Sequence, residues 1–286
     1  MKRTGIFFPY QQGERLRDFP QALEGILERE NVFYYDARYD VHDGSNYINR
    51  ISEGLLAEVH TKEMIERVKR NPAFEGALWS ASGTVQAGEL IFQNNIDNAF
   101  VFTGYGDHHA GRDFYGGGCY FNSAALAIAN IRKKYRTEKF AIVDTDPHHG
   151  DGTWDLFKED EDVLYTCFCV CAREPNKNNN IDVSVPWHLT DREYLMIVES
   201  ELPNIKRFQP ELIFWNFGYD GTQGEYGDIG ISKDCHPKLA KRFKEIADEV
   251  CDGRLITVLC GGHKRRIATY TIPKIIGFLS RMDWFY

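Results

Sequence analysis

The feature that most constrains this chain is a repeated alternation of short apolar runs with longer amphipathic segments. The runs are Gly5–Pro9, Val32–Tyr35, Ala99–Thr103, Phe140–Asp144, Val163–Phe168, Leu212–Phe217 and Leu255–Cys260, rich in Val, Ile, Phe and Tyr. Continuous apolar strands suit a parallel sheet buried on both faces. Between them lie helical candidates. Thr61–Arg70 opens on Thr61 as a cap and sets Met64, Ile65 and Val68 on one face. Ser80–Gln93, Ser123–Lys134, Asp191–Phe208, Ser232–Val250 and Arg265–Leu279 read likewise. Strand–helix–strand repetition predicts an α/β fold with a central, mostly parallel sheet and helices on both faces. No linker, low-complexity tract or repeat interrupts it, so residues 1–286 are expected to form a single domain. Two segments break the pattern. Tyr35–Tyr47 is polar and aromatic; Ala172–Trp187, with its Asn-Lys-Asn-Asn-Asn run, reads as a loop at a site mouth or as a plain solvated loop.

Composition removes whole classes of function. At 286 residues the chain can bury a sizeable core without staples. Lys and Arg total 34 against 42 Asp and Glu, a net charge of −8, and nucleic-acid binding normally needs a basic footprint. Arg132-Lys133-Lys134 is the densest basic stretch and reads as a solvated helix end. Mean hydropathy is −0.44, and no run approaches the roughly 20 apolar residues of a membrane span. The apolar stretch before Pro9 is too short for a signal peptide. Seven cysteines without a CxxC pair argue against a disulfide scaffold and for a reduced, cytoplasmic protein. Nothing in the sequence bears on oligomeric state.

The chemistry gathers where strands end, which is where open α/β sheets bind ligands. The strand at 99–103 runs into Gly104-Tyr-Gly-Asp-His108-His109, and the strand at 140–144 into Asp144-Thr-Asp146-Pro-His148-His149-Gly-Asp151. The strand at 212–217 ends in Gly218-Tyr-Asp220-Gly, and the strand at 255–260 in Gly261-Gly262-His263. Asp146 and His148 are two apart, so extended backbone would point both to one face. With Asp220 as third ligand they make a His-and-two-carboxylate set that suits one zinc ion with an open position. The alternative is a turn in which Asp and Gly serve the backbone. His108 and His109 would offer imidazoles beside the metal, with Asp144 and Asp151 left to fix their tautomers, a hydrolytic arrangement. The competing reading makes one of the two histidines a core residue.

These residues resemble the zinc-dependent histone deacetylases and acetylpolyamine amidohydrolases, whose fold is arginase-like. The resemblance rests on Asp107-His-His-Ala-Gly, Gly117-Gly-Cys-Tyr-Phe-Asn122 and Ile142-Val-Asp-Thr-Asp-Pro-His-His-Gly-Asp-Gly-Thr153. Leu56-Ala-Glu-Val-His-Thr61 and Gly218-Tyr-Asp220 extend it over roughly residues 50–270. It implies zinc on Asp146, His148 and Asp220, with a structural monovalent cation as a further expectation. It also implies a tandem base pair His108 and His109, with Asp144 behind the first and Asp151 behind the second. The implied reaction is attack of activated water on an amide, with an acylated amine such as acyl-lysine or acylpolyamine as partner. Arginases carry a second metal-binding carboxylate where Thr222 stands, which favours a single metal.

Three departures limit the likeness. His263 follows Gly261-Gly262 where active members place a carbonyl-polarising Tyr, the exchange that marks the weakly active class IIa deacetylases. Gly118 occupies the place of a channel Phe, so substrate would meet Gly118 and Gly262 with one aromatic wall missing. Cys167, Cys169 and Cys171 replace the usual strand sequence and read as core packing ahead of redox or metal chemistry. The leading expectation is a zinc amidohydrolase; the alternatives are a catalytically weak acyl-amine binding protein or scaffold, and a hydrolase for larger acyl groups.

Overall fold

The computed structural model describes residues 2–9, 16, 19–37, 46–171 and 175–281. The strands are β1 (Thr4–Phe8), β2 (Val32–Asp36), β3 (Asn46–Tyr47), β4 (Asn98–Val101), β5 (Phe140–Asp144), β6 (Val163–Cys169), β7 (Asn180–Ser184), β8 (Leu212–Phe217) and β9 (Leu255–Leu259). The helices are α1 (Glu53–Val59), α2 (Lys62–Lys69), α3 (Phe74–Phe92), α4 (Ser123–Tyr135), α5 (Asp151–Phe157), α6 (Asp191–Phe208), α7 (Cys235–Val250) and α8 (Arg265–Leu279). The strands form one sheet in the order β3-β2-β1-β4-β9-β8-β5-β6-β7, and every pairing is parallel. The α/β expectation therefore holds.

Strand parity divides the core in two. Phe8, Phe100, Val143, Trp215 and Leu259 pack with Tyr194 and Val198 of α6, Leu239 and Phe243 of α7, and Ile272 and Ile275 of α8. Phe7, Val101, Ile142, Phe214 and Val258 point the other way, against Met64, Val85, Leu126, Ile131 and Trp154. Both faces of each central strand are thus buried, as their unbroken apolar runs require. Local signals agree. The Thr61 side chain accepts a hydrogen bond from Met64 N–H and caps α2, whose Met64, Ile65 and Val68 are buried. Thr190 and Glu193 form a reciprocal capping box on α6.

Several elements depart from the sequence reading. Helix α3 starts six residues before Ser80, because Gly76, Ala77 and Leu78 are buried in succession and leave no amphipathic stripe. Helices α1 and α5 are only seven residues long, too short for a periodic signal. The stretch read as a loop within Ala172–Trp187 contains β7, which pairs with β6 as an edge strand. Its alternating, half-buried Asn180–Ser184 lacks the unbroken apolar run used to recognise strands, and none of its residues lines the cavity at the ends of the central strands. Residues 172–174, and 38–45 of the other irregular segment, lie outside the described residues.

Candidate metal centre and catalytic pocket

The four strand ends singled out in the sequence belong to four neighbouring strands, β4, β9, β8 and β5, at the middle of the sheet. Residues far apart in the chain meet there. A cavity of about 430 Å³ opens at those ends, lined among others by His108, His109, Asp146, His148, Gly261 and Gly262.

Asp146 and His148 converge by a turn, and not by strand parity as expected. β5 stops at Asp144, and Asp146 Oδ1 accepts the His148 backbone N–H at 3.0 Å. The turn and site readings are both true of this segment. The same oxygen lies 2.8 Å from His148 Nδ1, and Asp220 Oδ2 lies 3.1 Å from that nitrogen. Asp146 Oδ2 accepts from Gly261 N–H at 2.9 Å, which ties the β9 turn to the β5 turn. Only glycine fits at 261, since a Cβ there would sit 2.3–2.4 Å from carboxylate oxygens of Asp146 and Asp220.

The donors suit a divalent cation. Asp220 is wholly buried, and among the described residues its carboxylate meets only the His148 imidazole, at 3.1 Å. One donor atom each from Asp146, His148 and Asp220 lies within 4.8 Å of the others. Burial and the Asp146 charge raise the Asp220 carboxyl to about 7. Hydrogen bonds to Asp146 and Asp220 push His148 up to about 10. Buried carboxylates this close need positive charge. Thr222, at the position of the arginases' second carboxylate, turns its hydroxyl to His236 Nε2 at 2.8 Å, so the set stays at three.

Both predicted histidine–aspartate pairs form. His108 Nδ1 meets Asp144 Oδ2 at 2.9 Å, and His109 Nδ1 meets Asp151 Oδ1 at 2.7 Å. The other edge of His108 faces the donors, with Nε2 3.8 Å from Asp146 Oδ1. Burial opposes charge on His108, but Asp144 and Asp146 outweigh it and raise the ring to about 10. The loop bearing both histidines is anchored by Asp107. Its buried carboxylate accepts from Ser123 N–H, Ser123 Oγ and Ala124 N–H at the start of α4, where helix amides favour negative charge.

At the mouth, Gly118 has φ +81° and open space where a Cβ would stand, so no aromatic wall rises there. His263 lines the cavity but is exposed, and its backbone N–H donates to Glu225 Oε2. Glu225 also takes Lys264 N–H. Tyr226 stacks on His148 with ring centroids 5.6 Å apart, and its hydroxyl accepts Gly262 N–H at 3.1 Å. Sequence reasoning missed Glu225 and Tyr226, which lie in a loop without periodicity; an aromatic among glycines was the only signal. It also missed Tyr165, whose hydroxyl donates to Asp144 Oδ2 at 3.0 Å.

Comparison with known proteins places this arrangement. Residues 35–278 match the model of the histone deacetylase domain. A probable deacetylase of Archaeoglobus fulgidus is 26% identical over 91% of this chain and 77% of its own length. A polyamine deacetylase, HDAC10 of Danio rerio, is 24% identical over 76% of this chain but only 38% of its own. Histone deacetylase HDA1 of Saccharomyces cerevisiae is 26% identical over 74% of this chain and 36% of its own. The chain thus spans well under half of these eukaryotic relatives. The crystal structure of the HDA15 HD domain superposes with a TM-score of 0.80, at 20% identity, covering 99% of this chain and 89% of that one.

Proposed function

The chain belongs to the histone deacetylase family, and from that premise we propose that it is a zinc-dependent amidohydrolase cleaving an N-acyl amine, such as acyl-lysine or an acylpolyamine, to an acid and an amine. The observation that carries this reading is a three-donor set, two buried carboxylates and a part-exposed imidazole, with two histidine–aspartate pairs beside it. Asp146, His148 and Asp220 would hold the zinc, which when bound would supply Lewis acidity. Asp144 holds the Nδ1 edge of His108, so Nε2 faces the donors; a cation there would offset the carboxylate charges that favour the protonated ring and would leave Nε2 able to accept a proton from water. His109, nearer solvent, returns a proton to the departing amine as the C–N bond breaks. The net charge of −8 is compatible with a cationic amine, and seven free cysteines support a cytoplasmic setting. Among the described residues no helix is long and apolar enough to cross a membrane.

Metal-replete protein is expected to cleave some member of a panel of acyl-lysine peptides, acylpolyamines and small amides. His148→Ala should abolish both metal binding at this centre and turnover. Absence of divalent-metal binding by the Asp146, His148 and Asp220 set would overturn the reading.

His263 favours a second reading, a protein that binds acyl amines and turns them over feebly. Its side chain sits exposed at the rim, where the family's phenol would polarise the carbonyl, and losing such a donor costs about 10²–10³ in rate. Tyr226 brings a phenol to the same turn from another loop, and the open space at Gly118 leaves room for larger acyl groups. Good native turnover of any acyl chain in the panel would remove the binder reading.

A further inference from the structure

The two adjacent histidines of the metal turn part company: His148 lines the cavity and His149 does not. Cys167 and Cys169 are two apart on β6 and share the face of Tyr165. Asp182 of β7 is in register with Cys167, and its side chain reaches the same cluster. His149 enters from the turn before α5. Its Nδ1 lies 3.2 Å from Asp182 Oδ2 and 3.9 Å from Cys169 Sγ. One donor atom from each of the four residues falls within 4.8 Å of every other. Both thiols are fully buried, and the His149 and Asp182 side chains are 7% and 1% exposed.

We propose that His149, Cys167, Cys169 and Asp182 form a second, structural metal site for a thiolate-preferring ion, zinc first. The donor count and chemistry separate it from the catalytic set. Two sulfurs, a nitrogen and an oxygen fill a tetrahedron with no place for water, the pattern of a closed site. Thiolates also select zinc or copper(I) over magnesium and calcium. In tetrahedral zinc the sulfur–nitrogen separation is about 3.5 Å, so the observed 3.9 Å needs only a small contraction. Binding expels both thiol protons and the proton shared by His149 and Asp182. The ion would pin edge strand β7 to β6 and to the turn that carries His148. The competing reading is a buried ion pair packed by inert cysteines.

Cobalt substitution of the full chain tests the site without any assay of activity. Cobalt-loaded wild type should show an intense near-ultraviolet thiolate-to-cobalt band, which carboxylate and imidazole ligands do not produce. Zinc content should be about two ions per chain, falling to about one in Asp220→Asn with the band retained. Cys167→Ser/Cys169→Ser should also hold about one ion and lose the band. If that double variant fails to fold, Asp182→Asn, which keeps shape, should weaken metal binding about 10–100-fold and shift the band. No band in the cobalt-loaded wild type, or unchanged metal content in a folded double variant, would overturn the site. Neither result touches the amidohydrolase reading, which rests on Asp146, His148 and Asp220.

Discussion

His108–Asp144 and His109–Asp151 are the same chemical pair, set on consecutive histidines, in opposite surroundings. The inner pair is 3% and 0% exposed; the outer is 22% and 53% exposed. Their lengths, 2.9 and 2.7 Å, hardly differ. Surroundings separate them. Asp144 also accepts from Tyr165 and from Asp146 N–H, so its orientation is fixed from three directions. Asp151 takes only Gly152 N–H besides the imidazole, among the hydrogen bonds described. A buried partner sets geometry and field, while an exposed one is screened and can exchange protons with water.

Substitution can break this comparison. The largest effect is expected from Asp144→Asn, which keeps shape but removes the charge that orients His108. It should lower kcat on the order of 10³–10⁴-fold and destabilise the fold by about 3–5 kcal/mol, read by steady-state kinetics and urea unfolding. His263→Tyr should raise turnover of acetyl-lysine about 10²-fold if the missing phenol limits the rate. An unchanged rate would assign carbonyl polarisation to another group, with Tyr226→Phe the next variant. Asp151→Asn should cost only about tenfold in rate, and under about 1 kcal/mol in stability. Equal losses for Asp144→Asn and Asp151→Asn would show that burial does not distinguish the pairs.

The last effect is on stability alone and concerns two histidines away from the centre. Burial lowers His60 and His236 from 6.5 to about 4. The unfolded chain therefore binds more protons than the folded one between those values. Stability from these neutral rings is complete above pH 6.5 and is lost as pH falls towards 4, by up to about 3 kcal/mol each. His236→Gln should flatten part of the decline of melting temperature between pH 6.5 and 5. An unchanged slope would place the titration elsewhere.

Much of this was legible because local chemistry and global fold agree. The central strands announce themselves by burial on both faces, and the donors follow because strand ends are where the chain turns. What escaped lacks a local signal. Asn180–Ser184 pairs at an edge and is half polar, so it resembles loop. Tyr226 and Glu225 reach the site through turns set by tertiary contacts. Asp146 and His148 were matched by spacing, but the backbone that joins them is a turn whose geometry the strand rule does not supply.

The position of β9 has a consequence for how the molecule comes to exist. It is the last strand among the described residues, and it lies between β4 and β8. Until it inserts, the sheet is two separate halves, β3-β2-β1-β4 and β8-β5-β6-β7, each ending in an unpaired apolar strand. Exposed edges of that kind invite pairing with other chains. During synthesis, the interval before residues 255–259 emerge leaves β4 and β8 without the strand that joins them. The cavity, lined in part by the Gly261 turn, is complete only once that interval has closed.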